Sequence, residues 1–298
     1  MYWLSKKRYI CGLMLPTILV YCIFIILPIL IAVRYSFTKY SGIGQAQFNG
    51  LSNYKRLFSD PIFWTSFKNT MIIFAAAFIL LLVGAFFVAL LLNNHLKLND
   101  FAKSLIFSPA IIAPIIVGLI WVYILDPEIG LINGILGALG LDSWKQQWIG
   151  GNTLSPYSIA FIYFWQQLGY LVTIYIAGLK MIPEEVLEAV KMDGANGFQK
   201  LRYITVPLMK STISSVAVLL ITGIFKIFEI VQQTTGGGPN HASETLVTYS
   251  YSTTFSRGEY GYGMSLATVT FIISLIITGI YLALFKDKDE KKERAHAK

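Results

Sequence analysis

The residues able to do chemistry in this sequence form a few small groups, and none has the make-up of a reaction centre. The most informative is the stretch 183–207, PEEVLEAVKMDGANGFQKLRYITVP, a polar, helix-prone segment between strongly apolar ones. Pro183 suits the first helical position, where its missing N–H is not needed. Glu184 and Glu185 then complement the helix dipole, and Val186, Leu187, Val190 and Met192 supply an apolar side. Gly194 is placed to end the helix in a left-handed conformation. A second short helix is expected from Asn196 to about Tyr203, with Pro207 opening the next apolar run. Two short helices joined at a glycine make an L-shaped docking element. Spacing alone also allows an amphipathic helix resting on anionic lipid.

A second group lies in FIYFWQQLGYLVTIY. Tyr163, Gln166 or Gln167, Tyr170 and Thr173 recur at helical spacing on one face. Glutamine amides are costly in lipid, so this face should look into a polar path, or else bond between helices. A third group is Lys226 with Glu229, three residues apart on an expected helix; this spacing favours a snorkelling salt bridge over contact with a solute. Catalysis is poorly served. His95, His241 and His296 fall in three separate segments, and the acids Glu184, Glu185, Glu188 and Asp193 belong to the docking segment. No Gly-Lys pair occurs, so the chain lacks a phosphate-cradling G-x-x-x-x-G-K-[ST] loop of its own.

The elements that must hold these groups are membrane helices. Of 298 residues, 55% are hydrophobic and 13% charged, about half the charged share of a soluble domain. Six stretches reach the ~20 apolar residues a span requires: 9–33, 71–92, 105–125, 158–179, 212–233 and 264–285. The first is too long for the apolar core of a secretion signal and no cleavage site follows it. Pro28, Pro109 and Pro114 are expected kinks, tolerated where bundle neighbours satisfy the freed backbone. With the N-terminus inside, sixteen of the 24 Lys and Arg lie in inner segments, seven in outer ones, and Lys226 within a span. Both termini and the docking segment are therefore expected in the cytoplasm. This makes residues 1–8 an inner N-terminus, 9–285 the membrane domain and 286–298 a basic tail resting on anionic lipid. The net charge of +8 reads as topology signal, with no nucleic-acid partner. Cys11 and Cys22, both in the first apolar run, suggest neither a disulfide nor a metal site.

Glu188-Ala189-Val190, three residues, Gly194, nine residues and Ile204-Thr205-Val206-Pro207 resemble the EAA loop of ABC importer permeases. Val190 and Val206 depart from the usual alanine and leucine. Together with Asp193-Gly194-Ala195 and Phe198-Gln199, the string is similar to the carbohydrate-uptake branch, the maltose and glycerol-phosphate permease relatives. Gly50-Leu51-Ser52-Asn53-Tyr54, Asp60-Pro61, Phe63-Trp64 and Asn69-Thr70 resemble the first outer loop of that family. Gly130-Leu131-Ile132-Asn133 resembles its middle outer loop. Thr235-Gly236-Gly237-Gly238-Pro239 followed by Glu244-Thr245-Leu246 resembles its outer signature.

The resemblance implies an all-α integral membrane protein of the type I ABC permease fold, six spans and an L-shaped cytoplasmic coupling loop. It implies a heterodimer with a second permease subunit, a cytosolic ABC ATPase dimer carrying the ATP and magnesium, and an extracytoplasmic sugar-binding protein. Glu188, beside Glu184, Glu185, Ala189, Asp193 and Ala195, would meet the ATPase, with Gly194 as hinge. Tyr163, Gln166, Gln167, Tyr170 and Thr173 would line a sugar path, where rings stack on C–H faces and amides meet hydroxyls. The signature loop would either touch the binding protein or connect spans flexibly. No cofactor is expected on this chain. Of the competing classes, an intramembrane enzyme lacks a clustered site, and an ATPase-independent channel or secondary transporter has no evident proton relay and leaves the EAA-like loop without a purpose.

Overall fold

The computed structural model describes residues 7–93 and 99–285, which form helices joined by loops, with one small hairpin. Lys6, His95, Lys97, His296 and the basic tail 286–298 lie outside the described residues. The helices begin with α1 (Lys7–Tyr21), α2 (Leu27–Ser36), α3 (Ser52–Ser59), α4 (Pro61–Leu92), α5 (Asn99–Ile111), α6 (Pro114–Leu125), α7 (Leu131–Ala138) and α8 (Ser155–Lys180). They continue as α9 (Glu184–Met192), α10 (Gly197–Lys200), α11 (Val206–Leu208), α12 (Lys210–Ile224), α13 (Glu229–Thr234), α14 (Leu246–Tyr251) and α15 (Tyr260–Phe285). Between α2 and α3, β1 (Thr38–Lys39) pairs antiparallel with β2 (Gln47–Phe48).

Four stretches are long and apolar enough to cross a membrane: Met14–Ser36, Pro61–Leu92, Ser155–Lys180 and Tyr260–Phe285. The number rises to six if each of two bent pairs is one span, Phe101–Ile111 with Pro114–Leu125 and Gly197–Leu208 with Lys210–Ile224. The first pair turns by 104°, far more than the kink expected of a proline. Ala113 takes an extended conformation, ψ 135°, as a residue before proline prefers to. The expected span 212–233 is also interrupted: α12 ends at Ile224 and α13 begins at Glu229.

The chain divides into two compact units, one drawn from Met1–Phe63 with Tyr249–Phe271, the other from Trp64–Thr248 with Ile272–Lys298. In the first, buried Asn53 donates to the carbonyls of Ser36 (2.8 Å) and Thr38 (2.9 Å), tying α3 to the end of α2 and the hairpin. Asp60 accepts the N–H of Ile62 at 2.9 Å, capping the start of α4. Its other oxygen accepts the hydroxyls of Tyr249 and, at 2.6 Å, Tyr262.

The second unit is built around α8, whose buried face includes Ile159, Ile162, Leu171, Val172 and Tyr175. Small residues let its neighbours close in, as in membrane bundles generally. A Cβ on Gly169 would stand 2.3 Å from the carbonyl oxygen of Ile106 in α5, and one on Gly178 would stand 2.6 Å from Thr212 Oγ1 in α12. Tyr175 donates to the Leu82 carbonyl of α4 at 3.1 Å.

Candidate functional site: a docking elbow and a polar cavity

The segment 183–207 folds as an exposed elbow. Pro183 sits one position earlier than expected, as the cap, so that Glu184 is the first helical residue of α9. Glu184, Glu185, Glu188, Ala189 and Asp193 are exposed, Ala195 is half-buried, and Val190 is buried. Gly194 has φ +71°. The Ala195 N–H reaches back to the Val190 carbonyl and the Gly194 N–H to Lys191, closing the helix as a left-handed glycine permits. The second arm opens with a capping box: the Asn196 side chain accepts the Gln199 N–H while the Gln199 side chain accepts the Asn196 N–H, both at 2.9 Å. This arm runs further than expected, as a helix through Leu208 with a wide turn at Leu201–Thr205. Pro207 therefore lies inside it, and the chain bends by 68° before α12 begins at Lys210. Val190, Asp193, Gly194, Ala195, Gln199 and Tyr203 line a cleft of about 380 Å³ in the crook of the elbow.

On α8 the expected polar face divides in two. Tyr163, Gln167 and Tyr170 share a cavity of about 320 Å³ with Thr222, Gly223 and Lys226 of the α12 region. The Tyr163 hydroxyl lies directly over Gly223, where a Cβ would approach it to 2.6 Å. Gln166 points elsewhere: it is 2% exposed and donates to the Ile112 carbonyl at 3.0 Å. Its amide supports the α5–α6 break within the chain, while Gln167 faces the cavity shared with the α12 region. Thr173 likewise leaves the face, bonding back to Gly169 at 3.0 Å and lining a separate cavity beside α5.

The expected Lys226–Glu229 pair is not formed. Three-residue spacing aligns side chains only on a continuous helix, and the chain leaves the helix between them. Among the described residues neither takes part in an ion pair. Lys226 joins the cavity wall, and Glu229 opens α13. Thr222 and Gly223 were not singled out from the sequence. α12 ends between Thr222 and Lys226, so helical spacing gave no signal of their shared cavity.

The signature Thr235–Pro239 folds into a tight loop. Ser243 Oγ donates to Thr235 Oγ1 (2.7 Å) and the Gly238 carbonyl (3.0 Å), and Gly236 and Gly237 both have positive φ. Asn69 of α4 donates to the carbonyls of His241 (3.0 Å) and Glu244 (3.1 Å). Thr70 accepts the Leu246 N–H at 3.0 Å. The His241 ring and Glu244 carboxylate are paired beside it. Asn133 organises the middle loop in the same manner, donating to Pro127 and Gln146 and accepting from Gln146 and Trp148. The loop 235–245 is thus tied by hydrogen bonds to α4 and within itself.

Electrostatics are sharpest in the first unit. Burial raises the Asp60 carboxyl, but the hydrogen bonds from Tyr249, Tyr262 and the backbone outweigh it and hold the group below its ordinary range. The same burial, with Asp60 as partner, pushes the Tyr249 phenol up to about 12. Arg56 forms an ion pair with Glu259 at 2.5 Å and stacks 4.0 Å over the Tyr262 ring. No cluster suited to a metal ion occurs among the described residues.

Residues 82–288 match the family model described as the binding-protein-dependent transport system inner membrane component. The probable ABC transporter permease YurN of Bacillus subtilis is 33% identical over 96% of this chain and 99% of its own length. The trehalose/maltose transport system permease MalF of Thermococcus litoralis is 30% identical, covering 91% of each chain. A bacterial alginate ABC transporter, solved in complex with an alginate pentasaccharide-bound periplasmic protein, matches the fold with a TM-score of 0.81 at 20% identity. That match covers 95% of this chain and 96% of the solved one.

Proposed function

This chain belongs to the inner membrane component family of binding-protein-dependent transport systems, and from that premise we propose that it is a permease subunit of an ATP-driven carbohydrate importer. It is a multi-pass membrane transport component and not an enzyme. An extracytoplasmic binding protein delivers the sugar, a second permease subunit completes the path, and a cytosolic ATPase pair drives alternating access. The names of relatives support the substrate class: trehalose/maltose in Thermococcus litoralis, arabinooligosaccharides in Bacillus subtilis. Four long helices and two bent pairs make six spans, both termini facing the cytoplasm in keeping with the distribution of Lys and Arg.

The observation that carries the mechanism is the exposed elbow. Glu184, Glu185, Glu188 and Asp193 present carboxylates around a rigidly capped turn, and Gly194 fixes the angle between its arms. Closing of the ATPase pair on ATP moves this elbow as a unit, and the second arm, continuous through Leu208, passes that motion into α12. Tyr163, Gln167 and Tyr170 are then the sugar contacts on the path, with Gln166 and Thr173 supporting the bundle.

A pull-down of the tagged chain from mild-detergent membranes, with mass spectrometry of its companions, tests the proposal. An ATPase and a second permease should come down with the wild type. The ATPase alone should be lost from a Glu188→Lys, Gly194→Pro double variant. A chain that comes down alone refutes the reading and reopens the channel or enzyme classes.

A further inference from the structure

Within the six apolar stretches of the sequence only two side chains are charged, Lys226 and Glu229. A charge at membrane depth is expensive unless something compensates it, so such residues face a cavity and a counter-charge. The obvious counter-charge for Lys226 is Glu229, and the chain break after Ile224 prevents that pairing. The cavity Lys226 lines contains two phenols (Tyr163 and Tyr170), one amide (Gln167) and one hydroxyl (Thr222). It contains no carboxylate. Tyr170 and Lys226 are both exposed, whereas Ile224 and Ile227 on either side of the lysine are buried in the core. The backbone thus turns this one ammonium toward the side where the neutral hydrogen-bonding groups are gathered.

We propose that the cavity selects an anionic carbohydrate, one bearing a carboxylate, phosphate or sulfonate, and that Lys226 is its specificity-determining residue. The inference rests on the reading of Tyr163, Gln167 and Tyr170 as path residues of an importer. A neutral sugar can satisfy the phenols and the amide, but it leaves the ammonium at the cavity wall with no opposite charge. An anionic sugar satisfies both: its hydroxyls meet Tyr163, Gln167, Tyr170 and Thr222 while its acid group forms a charge-assisted hydrogen bond with Lys226. Lysine acts here as a point charge without a fixed fork geometry, so it sets the sign of the solute more strictly than its shape.

The test uses the complete importer in proteoliposomes, loaded with its binding protein and ATP. Labelled probes are neutral di- and trisaccharides and their uronic-acid, phosphate and sulfonate counterparts; these arms separate the possible sources of the negative charge. Uptake should be confined to charged probes. Lys226→Gln should lower that uptake about tenfold or more, mainly through KM, the order expected for a lost charge-assisted bond. Lys226→Arg should retain most of it, which shows that the loss is not misfolding. Uptake of neutral probes in preference to charged ones overturns the inference while leaving the importer reading intact. So does a Lys226→Gln variant that carries the charged probe as well as wild type. If an ATP-hydrolysing assembly moves no sugar of either kind, the importer reading fails and this inference with it.

Discussion

Substituting Gly194 separates backbone strain from side-chain contact at the docking elbow. Its φ is +71°, and a Cβ placed there would meet nothing within 4 Å. Alanine therefore fits sterically and costs only the left-handed penalty, about 1–2 kcal/mol for an ordinary L residue. With each 1.4 kcal/mol worth tenfold in an equilibrium, that is a loss of roughly 5- to 30-fold in docking. Asparagine, which tolerates the left-handed region better, should lose less; valine should lose more than alanine. Gly197 is the control: it too has open space around its Cβ, but no positive φ, so Gly197→Ala should change docking by less than about 0.5 kcal/mol. The assay is titration of the purified ATPase onto detergent-solubilised permease, with Kd measured for each variant. If alanine docks as tightly as glycine, or asparagine more weakly than alanine, the elbow does not require this backbone conformation and the coupling geometry is wrong.

Three further outcomes are expected. Asn69→Ala removes the donor to the carbonyls of His241 and Glu244; His241 keeps the Glu244 N–H at 3.3 Å, so the cost is about 1–3 kcal/mol, for the Glu244 carbonyl; limited proteolysis should cut within 235–245 faster, and an unchanged rate would contradict the bracing role. Gly169→Ala forces α5 back by roughly 1 Å from the 2.3 Å approach at Ile106 and should cost about 1–3 kcal/mol by overpacking, seen as a lower Tm in detergent, whereas Gly279→Ala, with nothing within 4 Å, should not lower it. Because the Asp60 carboxyl is held below the ordinary carboxylate range, its contribution is fully present above about pH 4 and lost as pH falls through the depressed value. Thermal unfolding followed against pH should show this acid-side loss in wild type and not in Asp60→Asn; parallel curves would remove Asp60 from the account.

Local signals in the sequence were read correctly where local chemistry decides. A glycine after an amphipathic turn is a strong stop, and Gly194 is left-handed. The loop strings were recognisable because their asparagines are structural: Asn53, Asn69 and Asn133 each clip backbone carbonyls of a neighbouring loop or element. The capping box of Asn196 and Gln199 is equally legible in its three-residue spacing. Tertiary contacts decided the rest. Spacing could not choose between Gln166 and Gln167, because the choice depends on where the Ile112 carbonyl is released by the α5–α6 break. Nothing in Phe225-Lys226-Ile227-Phe228 announces a helix end, having neither glycine nor proline. Phe225 is instead buried against Phe74 of α4, ring centroids 5.4 Å apart, and the helix stops there.

The elbow also carries a liability. Met181, Met192, Phe198 and Tyr203 are 81%, 87%, 68% and 65% exposed, interleaved with Lys191, Lys200 and Arg202 that keep the segment out of the hydrocarbon. If the elbow is where the ATPase docks, a newly made chain shows water, until it is covered, the apolar signature by which cellular quality control recognises unfinished proteins. Subunit stoichiometry would then need no dedicated regulator: permease made in excess of its ATPase is expected to be degraded, so that the motor's copy number limits how many transporters persist. Pulse-chase of this chain with and without the ATPase would reveal the effect as a longer lifetime in its presence; equal lifetimes would exclude it.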